Sequence, residues 1–139
     1  MNNMQLAPLV ETIPPIHGVK VLVIDDNPSV LLAISKILTH NGAVVTSAAG
    51  VPDAIRILGT MQGKFDIILT DLRMPLTSGK LILSMESELC PDVPVIIMSA
   101  FWTDEIKSEC IALGASHCLD KPLHSRDLLS AIKSALEGD

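Results

Sequence analysis

Short apolar runs alternate along most of this chain with longer stretches of helical period. From Val19 onward, runs rich in Val, Ile and Leu at 20–24, 43–47, 65–70, 95–98 and 116–119 read as strands, and the segments between them repeat apolar residues every three or four positions. This rhythm predicts successive βα units building a parallel sheet covered by helices on both faces. Behind the first strand, Asn27 is placed to cap a helix with Pro28 at its first position. Val30, Leu31, Ile34, Ile37 and Leu38 then share one face until Asn41-Gly42 stops the helix. The second helix is expected over 51–61, with Ala54, Ile55 and Leu58 inward and Gly63 past its end. Met74-Pro75 and Gly79 predict a turn ahead of a third helix carrying Leu81, Ile82, Met85 and Leu89. Thr103 is expected to cap a fourth helix ending near Gly114. Ser125 is expected to cap a fifth that bears Leu128, Leu129, Ile132 and Leu136. The first stretch, 1–18, contains Pro8, Pro14 and Pro15 and no sustained period, so it reads as an extended leader ahead of one domain over 19–138. Leu6, Leu9 and Val10 are its groups able to dock on a surface.

Composition narrows the possibilities. At 139 residues the chain suits one domain able to bury a core without disulfides, and with 48% hydrophobic but only 2% aromatic residues that core is aliphatic. The net charge of −6 repels nucleic-acid backbones and anionic membranes. Cys90, Cys110 and Cys118 form an odd set without metal-ligand spacing, as expected of free thiols packed as small hydrophobes in a reducing, cytoplasmic setting. The first nineteen residues hold no Lys or Arg and no long apolar run, which predicts no secretory signal, and no stretch is long enough to span a bilayer.

The chemistry lies where the apolar runs end. Asp25-Asp26 follows the first strand, Asp71 the third, Ser99 the fourth and Lys121-Pro122 the fifth. Right-handed crossovers put every carboxyl end of a parallel sheet on one side, so these residues are expected on a single rim, where open α/β sheets hold their ligands. Each has an ordinary reading when taken alone: a helix cap for Asp25-Asp26, a loop acid for Asp71, a hydroxyl satisfying the backbone for Ser99, a solvated lysine before a turn for Lys121. All four meeting at one edge points instead to a site. Three crowded carboxylates call for a cation, and hard oxygen ligands favour Mg²⁺ over a transition metal, with Mn²⁺ as the alternative. The X-Pro bond after Lys121 is a candidate for the cis form.

These motifs resemble the receiver domain of two-component response regulators. Val-Leu-Val-Ile-Asp25-Asp26 matches its acidic pair, Leu69-Thr-Asp71-Leu-Arg-Met-Pro75 its phosphoacceptor segment, Ile97-Met-Ser99-Ala100 its hydroxyl segment and Asp120-Lys121-Pro122 its lysine motif, at separations of 46, 28 and 22 positions. The resemblance implies a flavodoxin-like, doubly wound five-stranded sheet of order 2-1-3-4-5. It further implies that Asp71 takes a phosphoryl group from the phosphohistidine of a sensor kinase or phosphotransfer protein. Asp26, Asp71 and the main-chain carbonyl of Arg73 would hold Mg²⁺ directly, Asp25 acting mainly through water, with Lys121 and Ser99 on the phosphoryl oxygens. Arg73 and Phe101, two positions after Asp71 and Ser99, would control self-hydrolysis, expected to be slow. Output would pass through the fourth helix, fifth strand and fifth helix to an effector domain, a downstream protein or a second copy, in a stoichiometric phosphoacceptor and not a multiple-turnover enzyme. The chain departs from the family at Cys118, where receivers carry Tyr or Phe, which shifts attention to Phe101 and Trp102 as carriers of the change.

Two other classes stay open on sequence grounds. A flavodoxin-like binding protein would share the sheet, although no Ser/Thr-rich phosphate loop follows the first strand. A Mg²⁺-dependent phosphohydrolase could use the same aspartyl nucleophile. Within the family, a phosphorylation-independent interaction module is the third alternative.

Overall fold

The computed structural model describes residues 16–60, 64–74 and 77–138. Five parallel strands, β1 (Lys20–Ile24), β2 (Val44–Ala48), β3 (Ile67–Asp71), β4 (Val95–Ser99) and β5 (His117–Asp120), form one sheet in the spatial order 2-1-3-4-5. Helices α1 (Pro28–His40), α2 (Val51–Thr60), α3 (Gly79–Leu89), α4 (Asp104–Ala112) and α5 (Ser125–Glu137) connect or follow them. Two apolar layers sandwich the sheet. Val21, Val23, Ile67, Leu69, Ile96 and Met98 pack with α1 and α5, whereas Leu22, Ile24, Ile68, Val95 and Ile97 pack with α2, α3 and α4. Successive side chains of a strand point to opposite faces, which explains why β3 and β4 read as unbroken apolar runs.

The helix starts follow the chemistry of their first residues. The Asn27 side chain accepts from the Ser29 and Val30 amides at 2.9 and 3.3 Å, and Thr103 Oγ1 accepts from the Ile106 amide at 3.1 Å. Each cap is worth about 1 kcal/mol by satisfying amides that have no partner within the helix. After α1 the chain turns through Gly42 at φ 94°, a left-handed conformation open to glycine at no steric cost.

Several expectations shift. Asp71 and Ser99 are the last residues of β3 and β4 and not the first beyond them; Asp71 pairs in register with Met98, and Ser99 with Asp120. The inward face of α2 is Ala54, Ile57 and Leu58, with Ile55 40% exposed. That of α3 includes Ile82 and Leu83, with Leu81 42% exposed. Neighbouring apolar residues in short helices offer two possible faces, and packing against the sheet selects one. Ser125 does not cap α5: His124 holds that position with no side-chain bond, because Ser125 has already entered the helix. The connection after β3 contains a small antiparallel ladder pairing Arg73–Met74 with Thr77–Ser78. Pro75 and Gly63 lie outside the described residues. So do residues 1–15 of the expected leader, with Leu6, Leu9 and Val10. The leader's last three residues belong to the fold, since Ile16 is 1% exposed in the α1/α5 layer and its amide donates to the Asn41 carbonyl.

Candidate functional site

The connection from the carboxyl end of β1 runs outward to β2 and that from β3 runs the opposite way to β4, which opens a crevice between the ends of β1 and β3. Asp25 and Asp26 stand at the end of β1, and Asp71 at the end of β3. Each of the three offers a carboxylate oxygen, and these oxygens all lie within 4.8 Å of one another, with Asp25 and Asp71 buried and Asp26 exposed. Lys121 arrives from the end of β5, and its Nζ donates to Asp25 Oδ2 at 2.7 Å and approaches Asp71 Oδ1 at 3.1 Å. The other oxygen of Asp25 accepts the Asn27 amide at 2.9 Å. Asn27 therefore both starts α1 and fixes the first carboxylate, a second role that its capping signature in the sequence did not disclose.

The electrostatics are those of a charged group kept partly from water. Burial pushes the Asp71 carboxyl above its ordinary value; the hydrogen bond from Lys121 opposes this, and the charges of Asp25 and Asp26 add to it. Burial by itself would lower the Lys121 ammonium, but its hydrogen bonds to Asp25 and Asp71, together with their charge, leave it above its ordinary value. The site thus holds one cation against three acids. A hard divalent cation fits the remaining oxygen set, with open positions left for water or a phosphoryl group.

All five residues predicted for the rim reach it. Four form the cluster, while Ser99, 2% exposed, is turned to its own loop: the Phe101 amide donates to its Oγ at 3.1 Å and the hydroxyl donates to the Phe101 carbonyl at 3.3 Å. The Lys121–Pro122 bond is cis. Arg73 and Phe101, expected to flank the pocket, meet one another, with the guanidinium 5.8 Å from the ring centroid. Cys90 and Cys110 are buried free thiols as expected, and Cys118 is only half-buried. Sequence reasoning missed one contact: the Trp102 indole N–H donates to the Leu119 carbonyl on β5 at 2.9 Å. Nothing local marks such a bond across 17 positions.

The family model of the response regulator receiver domain matches residues 21–133. This chain belongs to that family. The chemotaxis protein CheY of Treponema pallidum is 32% identical over 120 residues, covering 85% of this chain and 83% of that protein. The two-component response regulator-like protein APRR3 of Arabidopsis thaliana is 30% identical over 116 residues, and the match takes in 82% of this chain but 23% of the plant protein. Among solved structures, a response regulator receiver domain protein from Clostridium thermocellum superposes with a TM-score of 0.82 at 31% identity, covering 86% of this chain and 95% of that one. The match therefore takes in most of the two bacterial proteins and a small part of the plant regulator. Receiver domains bind Mg²⁺ at an acidic cluster, and the three aspartates here provide one. No helix among the described residues is long and apolar enough to cross a membrane.

Proposed function

We propose that this receiver, over residues 19–138, accepts a phosphoryl group on Asp71 from the phosphohistidine of a sensor kinase or phosphotransfer protein. The observation that carries the reading is the bridge of Lys121 Nζ between Asp25 and Asp71 beside the exposed Asp26, a buried acceptor with a fixed cation on one side and a cation-binding face on the other. An Asp71 carboxylate oxygen attacks phosphorus as the phosphorus–nitrogen bond to the donor imidazole breaks, leaving an acyl phosphate on the protein and a neutral histidine, after proton uptake, on the donor. Asp26, Asp71 and the Arg73 carbonyl would hold Mg²⁺, with Asp25 acting through water, and the ion when bound neutralises developing charge on the transferred group. Lys121 meets a second phosphoryl oxygen as a point charge, and the Ser99 hydroxyl turns to a third. Arg73 stacked on Phe101 screens the acyl phosphate from water, so self-hydrolysis is slow. The chain is a stoichiometric phosphoacceptor, and α4, β5 and α5 carry its output to an effector domain, a downstream protein or a second copy.

Incubating the chain with Mg²⁺ and acetyl phosphate, followed by intact-mass measurement, tests this. Wild type should gain one phosphoryl group and Asp71→Asn none. Equal labelling of both would remove Asp71 from its role. Cys118 in place of an aromatic favours a second reading, a receiver whose partner binding ignores phosphorylation. That reading predicts labelling with no change in partner affinity.

A further inference from the structure

We propose that Trp102 is the group that transmits phosphorylation of Asp71 to β5, a role that rests on the phosphoacceptor reading above. The Ser99 hydroxyl carries one proton. That proton is donated to the Phe101 carbonyl at 3.3 Å while the Phe101 amide donates to the same oxygen at 3.1 Å, closing a small ring at the start of the β4–α4 connection. A hydroxyl has a single donor. Turning it to a phosphoryl oxygen withdraws the bond from the Phe101 carbonyl and frees the ring.

The next residue is Trp102. Its indole N–H donates to the Leu119 carbonyl at 2.9 Å, and its half-buried ring packs on the same layer of the core as Cys110, Ala115 and Cys118. Residue 118 is too small to occupy the space beside the β4–α4 connection as a ring would, and the Trp102 indole comes into that layer from the loop. Thr103 caps α4 immediately beyond, so the connection is tied to the site at Ser99, to β5 at Trp102 and to α4 at Thr103. Leu119 is two residues from Lys121, which grips Asp71, so both ends of the device converge on the end of β5. Among the described residues β5, as the edge strand, pairs only with β4, and an open depression of about 640 Å³ borders it between His117 and Ser134. Phe101 is not placed for this task. Its ring is 68% exposed and lies under Arg73 at the mouth of the site.

The chain contains a single Trp and no Tyr, so its intrinsic emission reports Trp102 alone. The full chain is treated with Mg²⁺ and acetyl phosphate, and mass and emission are followed together. The expected result is a phosphoryl mass gain accompanied by a red shift and readier quenching by acrylamide as the indole leaves its seat, both lost in Asp71→Asn. Labelling of wild type with unchanged emission overturns the role of Trp102 and leaves the phosphoacceptor reading intact, whereas absence of labelling overturns both. A second variant, Trp102→Phe, keeps a ring but removes the N–H. It should label to the same extent, and in its unmodified form amide exchange over 117–120 should be as fast as in phosphorylated wild type. Exchange matching unmodified wild type would overturn the proposal.

Discussion

β3 and β5 deliver the two groups that meet at 3.1 Å in the site, yet they are opposite kinds of strand. β3 is central, paired with β1 and β4, and all five of its residues are buried. Among the described residues β5 is the edge, paired with β4 alone, and none of its four residues is fully buried. The difference assigns freedom. Asp71 sits in a strand buried throughout and paired on both sides, where its oxygen lies within 4.8 Å of those of Asp25 and Asp26. The Leu119 carbonyl belongs to, and Lys121 directly follows, an edge strand less tied to the core. The proposed function uses both, an acceptor whose geometry is set in advance and a neighbour that responds to what the acceptor carries.

The largest effect that would sharpen this contrast is on stability. Leu69→Ala in β3, fully buried, should cost about 3 kcal/mol in urea unfolding, from lost transfer free energy and the cavity left behind. Leu119→Ala in β5, packed at the margin of the same layer, should cost about 1 kcal/mol because the site can collapse or admit water. Equal losses would show that β5 is held as firmly as β3. A smaller effect concerns the entrance. Phe101→Ala should leave stability within about 0.5 kcal/mol, as expected for a side chain so exposed. The same change should speed self-hydrolysis of the acyl phosphate by about two- to fivefold, less than about 1 kcal/mol of barrier, followed as decay of the phosphorylated mass. An unchanged rate would remove Phe101 and its stacked Arg73 from control of hydrolysis.

What the sequence discloses follows the same division. The central strands were legible because burial on both faces leaves continuous runs such as Val95–Ser99, and the rim was legible because each run ends on a polar residue. The convergence of Asp25 and Lys121, 96 positions apart, needed only the rule that parallel strands end on one side. Legibility fails where two choices look alike locally. Ile55 and Ile57 are equally apolar, and only the position of α2 over the sheet decides that Ile57 is buried. The short ladder at Arg73–Met74 rests on pairing between two-residue segments too brief to carry a period. The bond from Trp102 to Leu119 joins a loop to an edge strand, and no spacing rule relates the two. The buried, doubly paired residues are therefore readable, and the loop contacts that the proposal sets in motion are not.

The smallest effects separate two carboxylates by the sign of their pH dependence. Burial raises Asp71 above its ordinary value, so the unmodified, metal-free protein loses stability as pH climbs from the ordinary aspartate range through the raised one, and the full penalty persists above it. Asp71→Asn should then be more stable than wild type at neutral pH, with the difference closing as acid protonates the wild-type carboxyl. Asp53 behaves oppositely. At the exposed start of α2, its hydrogen bond from Arg56 at 2.6 Å, and next the Ala49 amide at 3.2 Å, hold it below its ordinary value. Its contribution is present above the ordinary aspartate value and disappears as pH falls through the lowered one. Because the ion pair is exposed, Asp53→Asn should cost no more than about 0.5 kcal/mol at neutral pH and leave phosphoryl acceptance unchanged. Thermal unfolding of the two variants across the acid range, in chelator, reads both signs in one experiment. A loss of stability in Asp71→Asn at neutral pH would mean that Lys121 outweighs burial at the acceptor, leaving the site no strain to be relieved by a cation.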